Sequence, residues 1–517
     1  MFDVGYFTRR VTEKLNTLNP GKTAVQMENE QSWTYEELHL RSNAYGNALV
    51  EMGVTKGDRV GVLLYNCLEY FALYFAIAKI GAIAVRLNFR LTAPELEYVI
   101  NDSGAKVLCF HSELNETISS IRNKTSVEHF ICFSKQQHHY PNWAEAQAIL
   151  DAGSTKEIDP GEIKLEDPVM LMYTSGTTGL PKGALWTHGN TFWFSSMQAM
   201  QWNYTGNEIA MTTGPLYHVG AMEDIALPTL LSGGTVHITK SGGFDISRIL
   251  QVIDECNITD CFLFPFMIYE MLNSSTTYQL NSLKRIYTGG DPIMPWAIEQ
   301  LNAKFPHIGL VQVYGLTEGT PIAASLSPED NRTKSHTVGK AMPLTEIRIV
   351  NDNHESIEAG EIGEIAIKSP SVSTEYWNKP EATAETFVNG WCHTGDLGQI
   401  DEDGFLTIAG RKKDMIRSGG ENVYAAEIED LLYRHEKIKE VSIIGVPHPK
   451  YIETVCAIIV KQPNVSLPEE EVIHYCQGKI AKYKHPRKII FVDELPRTPS
   501  GKVQKFKLRE RYQSIAT

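Results

Sequence analysis

The stretch that most constrains the chain is an apolar run, Val169-Met170-Leu171-Met172, followed at once by Tyr173-Thr174-Ser175-Gly176-Thr177-Thr178-Gly179-Leu180-Pro181-Lys182-Gly183. The apolar run reads as a buried strand. What leaves it is a loop carrying four hydroxyl side chains, three glycines and one lysine between Thr174 and Gly183. Glycines let main-chain N–H groups approach a ligand with no Cβ in the way. Hydroxyls add neutral donors and Lys182 adds a charge, the chemistry needed to hold a polyphosphate. A polar surface turn is the plainer reading. The spacing is not that of the P-loop, which needs four residues between its glycine and Gly-Lys-Ser/Thr; here Pro181-Lys182-Gly183 closes the loop.

At 517 residues the chain is too long for one ordinary core and predicts two to four domains. A net charge of −14 argues against nucleic-acid binding, but the charge is uneven. From Arg411 onward there are 20 Lys and Arg against 14 Asp and Glu; the 410 residues before carry 28 against 48. A basic C-terminal part on an acidic body fits an anionic ligand held between them, or two complementary surfaces. The eight cysteines form no C-x-x-C pair, so neither a zinc site nor a disulfide framework is signalled, and a cytoplasmic setting is expected. Met1-Phe2-Asp3-Val4-Gly5 has no basic-then-apolar signal pattern. The most apolar run, Phe71 to Leu87, is interrupted by Lys79 and Arg86 and is too short to span a bilayer. Peripheral membrane contact and a homodimer stay open.

Residues 20 to 110 alternate between strand and helix patterns. Thr23 to Met27 reads as a strand, and Thr34-Tyr35-Glu36-Glu37 as a capping box opening a helix that Gly53 ends. Arg59 to Leu64 is a strand; a second helix runs to about Lys79; Ala82 to Val85 is a strand; Pro94 sits at a helix start; Ala105 to Phe110 is a strand. This alternation predicts α/β layers with mostly parallel strands. Residues 112 to 166 are polar and weakly periodic, and support only connector and edge structure. Further on, Trp186 to Asn190 leads into a helix. Leu216-Tyr217-His218 follows a short strand, with His218 a catalytic, gating or structural histidine. Tyr287-Thr288-Gly289-Gly290-Asp291 ends another strand. Val311 to Glu318 is a strand running into a polar tip, where open α/β sheets bind ligands. Glu318 there suits Mg2+, a hard cation that takes oxygen ligands.

From about 337 to 410 short alternating strands predict a β-rich subdomain. It holds Thr394-Gly395-Asp396, an aspartate that either accepts ribose hydroxyls or only shapes its turn. Gly410-Arg411-Lys412-Lys413-Asp414, four charges in a row, reads as a solvated link and marks a boundary. The expected organisation is therefore 1–410, a large domain of mixed α/β layers with the β-rich part, and 411–517, a small α+β domain. Pro499-Ser500-Gly501-Lys502 near the end is a loop with one lysine at its tip.

These motifs stand in the order and spacing of the adenylate-forming superfamily, and the chain resembles its acyl-CoA synthetases. The run from Gly390 to Lys413 resembles the fatty-acyl-CoA synthetase signature in particular. The resemblance implies that a carboxylate attacks the α-phosphate of ATP to give an acyl-adenylate and pyrophosphate, and that the thiol of coenzyme A then takes the acyl group and releases AMP. By position, Thr174, Ser175, Gly176, Thr177 and Thr178 with Lys182 would hold the β- and γ-phosphates, and Thr317 the α-phosphate. Glu318 and the Thr174 hydroxyl would serve Mg2+. Gly289, Gly290, Gln312, Val313, Tyr314 and Gly315 would bracket the adenine, and Asp396 and Arg411 would take the ribose. His218, Gly220, Ala221, Met222 and Asp291 would line the acyl pocket. Lys502 would bridge carboxylate and α-phosphate, a charge that no amide could replace. Lys413 matches the hinge about which the mobile C-terminal domain swings, after which Ser418, Gly419, Gly420 and Asn422 would line a coenzyme A tunnel.

Two departures bear on the acid. Asp291 stands where many acyl-CoA synthetases have a small apolar residue, and Met222 stands near where some long-chain members have a tryptophan gate. The expected substrate is a medium- or long-chain fatty acid; an aryl or other acid is the alternative. A carrier-protein-loading adenylation enzyme lacks support, with no carrier segment and no Phe-Asp pair after His218 to bind an amino group. A non-catalytic nucleotide sensor does not explain Thr317, Glu318, Asp396 and Lys502 together.

Overall fold

A computed structural model describes residues 20–134, 143–159, 163–174, 180–274, 278–418, 421–448, 452–497 and 503–512. The chain forms two compact units, Met1–Ile347 with Ile367–His393, and Arg348–Ala366 with Thr394–Thr517. It passes from one to the other within the strands Glu346–Val350, Gly363–Lys368 and Trp391–Ile400.

The first unit carries two large sheets. In one, eight strands run in the order Glu375–Tyr376, Lys182–Thr187, Pro168–Thr174, Ile83–Arg86, Arg59–Leu63, Ala105–His111, His129–Phe133, Ala144–Glu145. All neighbours from Pro168–Thr174 onward are parallel, and the first three strands pair antiparallel. In the other, nine strands run from Lys340–Ala341 through Thr320–Leu326, Gly309–Leu316, Arg285–Gly289, Asp260–Phe262, Ile209–Thr212, Thr235–Ile238 and Thr23–Met27 to Gln31–Thr34. The strand Ile209–Thr212 has Thr235–Ile238 on one side and Asp260–Phe262 on the other, so the winding reverses at it. In open α/β sheets that reversal opens a crevice beyond the strands' carboxyl ends, where ligands bind.

Local signals were obeyed closely. Thr34 caps the helix Tyr35–Glu51 through a capping box with Glu37, and Gly53 turns out of it at φ +80°. Thr92 caps Ala93–Ser103 with Pro94 in the first turn. The apolar helix Leu68–Lys79 is buried at every residue but Glu69 and shares one core with side chains of both sheets, Val62 and Met170 from one and Ala210 and Val236 from the other. That core, not a bilayer, explains its all-round hydrophobicity. Lys79 is buried on Ser42 Oγ (2.9 Å) and Asn43 Oδ1 (2.8 Å). Among the described residues no helix is long and apolar enough to cross a membrane. The segment left without assignment supplies a parallel strand, His129–Phe133, and the helix Ala146–Ala152.

In the second unit, Trp391–Ile400 pairs antiparallel with Leu406–Arg411, with Asp396 opposite Arg411 and a register shift after Leu397. A further sheet joins Glu421–Val423, Ile416–Ser418, Ile452–Lys461 and Ile438–His448, with Lys488–Phe491 parallel to Ile452–Lys461. Its strands alternate in two-residue steps. Val441, Ile443, Ala457 and Ile459 pack with Ile428, Leu432 and Val472 of the helices Ala425–Tyr433 and Glu469–Cys476. Ile444, Val446, Cys456 and Ile458 pack with Leu508 and Tyr512 of Lys505–Tyr512. The run Gly410 to Asp414 is exposed at Arg411, Lys412 and Lys413, as a solvated link predicts, but it carries ion pairs: Arg411 with Asp396, Lys412 with Asp352 and Glu364, and Asp414 with Arg509. Its partners come from distant segments, which a local charge pattern does not reveal.

Candidate active site

The phosphate-loop hairpin is built by register. Thr174 ends its strand, Lys182 begins the next, and the two are directly paired. Ser175, Gly176, Thr177 and Thr178 lie outside the described residues. The neck of the loop is tied down on both sides. Tyr173 OH donates to Asp102 Oδ2 (2.7 Å), Lys379 Nζ to Asp102 Oδ1 (2.7 Å), and Tyr98 OH to the Pro181 carbonyl (3.3 Å). A Cβ on Gly183 would sit 3.1 Å from the Tyr173 ring, so the glycine makes room for it.

Glu318 reaches the same neck. Its Oε1 accepts from Thr174 Oγ1 (2.8 Å) and from Tyr376 OH (2.9 Å), and the residue is buried. Trp186 Nε1 donates to the Thr317 carbonyl (3.0 Å), which anchors the strand tip. The Lys182 ammonium lies 5.2 Å from the centre of the Tyr376 ring. Burial first, then the Glu318 carboxylate, push the Tyr376 phenol up, so it stays a donor. A carboxylate and a hydroxyl oxygen in contact suit an oxygen-seeking cation such as Mg2+. Tyr376 and Asp102 were not singled out from sequence. Tyr376 comes from a two-residue edge strand, too short for any periodic signal, and Asp102 sits inside an ordinary helix.

At the ends of neighbouring parallel strands stand the adenine candidates. Gly289 pairs with Val313, and a Cβ on it would meet the Val313 carbonyl oxygen at 2.5 Å, so only glycine permits this approach. Gly290 follows at φ +88°. Gly315 is equally constrained, 2.4 Å from the Thr320 and Pro321 carbonyls by the same measure. Gln312 Nε2 donates to Asn331 Oδ1 (2.7 Å), which commits its side chain to supporting that turn. Tyr314 is half-buried on the same strand.

The acyl candidates leave the strand Ile209–Thr212 at the winding reversal. Asn66 clamps this segment, donating to the Gly214 carbonyl (2.9 Å) and accepting from the Leu216 N–H (2.8 Å). Arg86 donates to the carbonyls of Leu216 (2.6 Å) and His218 (3.1 Å) and ion-pairs with Glu223. His218 Nδ1 accepts the Gly220 N–H (3.1 Å), which leaves the imidazole proton on Nε2. A Cβ on Gly214 would touch Ala221 (3.5 Å) and Phe264 (3.9 Å), and one on Gly290 would touch Phe264 (3.7 Å). Phe264 thus bridges the His218 segment and the glycine turn. Met222 is fully buried in the core, and Asp291 is exposed. Arg86 and Phe264 carried no sequence signal for this place. A surface cavity of about 500 Å3 lined by Trp193, Leu344, Thr345, Glu346 and Pro370 includes none of these candidates.

On the second unit Asp396 Oδ1 accepts from Arg411 Nε (3.1 Å). Its turn is set by Gly395 at φ +70°, whose N–H donates to Glu364 Oε1 (3.0 Å). Lys413 is held below the usual lysine range, first by burial and then by Arg411. Ser418 is buried and Asn422 exposed on a hairpin whose tip, Gly419 and Gly420, lies outside the described residues, as does Lys502.

Residues 13–377 match the AMP-binding enzyme family, and 427–502 match the AMP-binding enzyme C-terminal domain. The chain belongs to the AMP-binding enzyme family. It is an adenylate-forming acyl-CoA synthetase, an acid–thiol ligase using ATP and coenzyme A. It is 35% identical to an indoleacetate–CoA ligase of Aromatoleum aromaticum, over 95% of this chain and 96% of that one. It is 33% identical to the long-chain-fatty-acid–CoA ligase FadD13 of Mycobacterium tuberculosis, over 99% of both. The ATP-bound crystal structure of MatB from Rhodopseudomonas palustris matches with a TM-score of 0.91 at 30% identity, covering 100% of each chain.

Proposed function

We propose that the chain activates a carboxylic acid with a largely apolar acyl part and passes it to coenzyme A. The observation that carries this reading is the contact of Thr174 and Glu318 at the neck of the Lys182 hairpin. It joins residues 144 positions apart at the ends of two sheets' strands. In the first half-reaction a carboxylate oxygen bonds to the α-phosphorus and the bond to the pyrophosphate oxygen breaks. In the second the thiol sulfur bonds to the acyl carbon, its proton goes to solvent, and the bond to AMP breaks. Both steps gather negative charge, so positioned cations and donors lower the barrier. Lys182, the loop hydroxyls and Thr317 hold the phosphates. Thr174 and Glu318 would hold Mg2+, which would supply positive charge against the phosphates. Asp396 and Arg411 take the ribose, Lys502 serves the first half-reaction, and Lys413 is the pivot between the two.

For the acid, a medium- or long-chain fatty acid follows the signature at 390–413 and the fatty-acid ligase relative. An aryl acid follows the indoleacetate ligase relative. Acid-dependent exchange of labelled pyrophosphate into ATP, with CoA-dependent AMP release over a panel of straight-chain and aryl acids, tests both levels. Exchange without any acid, or with none of the panel, removes the ligase reading.

A further inference from the structure

Beyond His218 the chain makes the turn Val219–Ala221 and then a π-helical turn, Met222–Ala226. Such wide turns are rare and recur at functional sites. This one delivers two consecutive acids, Glu223 and Asp224, into the interior, 0% and 5% exposed. Glu223 is accounted for by Arg86, whose side chain is equally enclosed. Asp224 is not: its Oδ1 is buried with no hydrogen-bond partner among the described residues. An unmade hydrogen bond at such an atom costs stability, so the group calls for a reason.

The carboxyl's place supplies one, through its other oxygen, Oδ2. Asp224 Oδ2 lies 3.7 Å from the point where a Cβ on Gly220 would stand, and His218 Nδ1 lies 3.4 Å from the same point. Both are ordinary contact distances for a Cβ, so the imidazole and the carboxyl flank the same face of this glycine. Gly220 is not in the left-handed conformation that would demand a glycine. What its missing side chain does is leave no Cβ between the imidazole and the carboxyl, on the segment that also carries Ala221.

We propose that Asp224 is a specificity residue that hydrogen-bonds a donor, hydroxyl or N–H, carried by the acyl part of the acid substrate in the space beside Gly220. The inference rests on the adenylating CoA-ligase reading and narrows its substrate class to donor-bearing acids. Burial first, then the neighbouring Glu223 carboxylate, hold Asp224 well above the usual carboxylate range. A carboxyl kept neutral still offers an acceptor oxygen and adds no buried charge. A site built to bond a donor rejects the analogue that lacks it, because its own polar group is then left unpaired.

The test uses pairs of aryl acids that differ only by hydroxyl or amino against hydrogen at one ring position, together with straight-chain acids. AMP formation with CoA and acid-dependent pyrophosphate exchange are measured for the full-length enzyme, Asp224→Asn and Asp224→Leu. The wild type is expected to favour one donor-bearing partner by about tenfold or more in kcat/KM. Asp224→Asn, which keeps an acceptor, retains the preference. Asp224→Leu brings the ratio toward one, mainly by raising kcat/KM for the partner without the donor. Equal turnover of every pair by the wild type, a preference for straight-chain acids over all donor-bearing ones, or an unchanged ratio in Asp224→Leu each overturns the proposal. Should the leucine variant not fold, the wild-type ratios and the asparagine variant decide. Adenylation of the panel without donor preference removes this inference alone, whereas absence of exchange with every acid removes the ligase reading as well.

Discussion

The two ends of the first unit's site treat polar groups in opposite ways. At the phosphate end, among the described residues, most polar side chains have a visible partner. Thr174 and Tyr376 share Glu318, Tyr173 and Lys379 share Asp102, and Lys182 stands at the start of its strand, half-buried. At the acyl end the polar groups are driven into the core and several go without. Arg86 Nε, Glu223 Oε2, Asp224 Oδ1 and Gln198 Oε1 are buried with no partner among the described residues. The first arrangement is suited to a ligand that brings its own charge and competes for solvated groups. The second holds a shape in place at a cost in stability. The phosphate end should therefore fail in catalysis when altered, and the acyl end in folding.

Arg86 gives the largest expected break. Its guanidinium is fully enclosed, pairs with Glu223 and fastens the carbonyls of Leu216 and His218. Arg86→Met leaves Glu223 buried without its counter-charge, and breaking a buried pair from one side costs about 3–5 kcal/mol. Denaturant unfolding should show that loss. The double variant Arg86→Met, Glu223→Leu should recover much of it, since removing both charges is often near neutral. A loss below about 1 kcal/mol for the single variant would show that the pair is dispensable and that the contrast between the two ends is overdrawn.

Glu318→Gln is the matching change at the phosphate end. The amide can still accept from Thr174 and Tyr376, so the folded state is expected to keep its unfolding midpoint. What is lost is the charge proposed to hold Mg2+. Removing one preorganised electrostatic group lowers kcat by about 10²–10³, read here as pyrophosphate exchange. Thioester formation from preformed acyl-adenylate should fall far less. A variant that exchanges pyrophosphate like the wild type would take Glu318 out of the metal site.

The contrast also explains what the sequence made legible. The phosphate end is written along the chain, because a tight antiparallel pair places Thr174 beside Lys182, and Glu318 sits at a strand tip where α/β sheets bind ligands. Two-residue alternation and helix caps foretold most of the elements that carry it. The acyl end is written in contacts between distant segments. Arg86 read only as a charge interrupting an apolar run, though it holds the loop 130 residues on. Phe264 opens an ordinary helix, and Asp224 follows Glu223 as if on a solvated face; only the π turn sends both inward. The strand His129–Phe133 was hidden for a similar reason: it lies next to the edge of a parallel sheet, between polar segments with no period of their own.

The smallest effect bears on whether the contrast is one of degree. The phosphate side has its own buried, incompletely partnered group, His188, which opens the helix His188–Gln201 directly behind the hairpin. Burial holds its pKa down to about 4, with Asp167 only partly opposing. His237, in the nine-stranded sheet, is likewise held at about 4 by burial. Above the unfolded value near 6.5 both states are neutral and neither histidine matters. As pH falls from 6.5 toward 4 the unfolded chain binds a proton that the folded chain refuses, so stability declines with falling pH. Each histidine contributes a slope of up to about 1.4 kcal/mol per pH unit in that window. Urea unfolding at pH 7, 6, 5 and 4.5 should show the decline, and His188→Gln should remove its share of the slope. Equal shares removed by His188→Gln and His237→Gln would mean that both sheets enclose neutral imidazoles alike, and that the difference between the ends lies in the carboxylates and Arg86 alone. A slope that neither variant changes would place the sensitivity elsewhere and leave the phosphate end without buried polar strain.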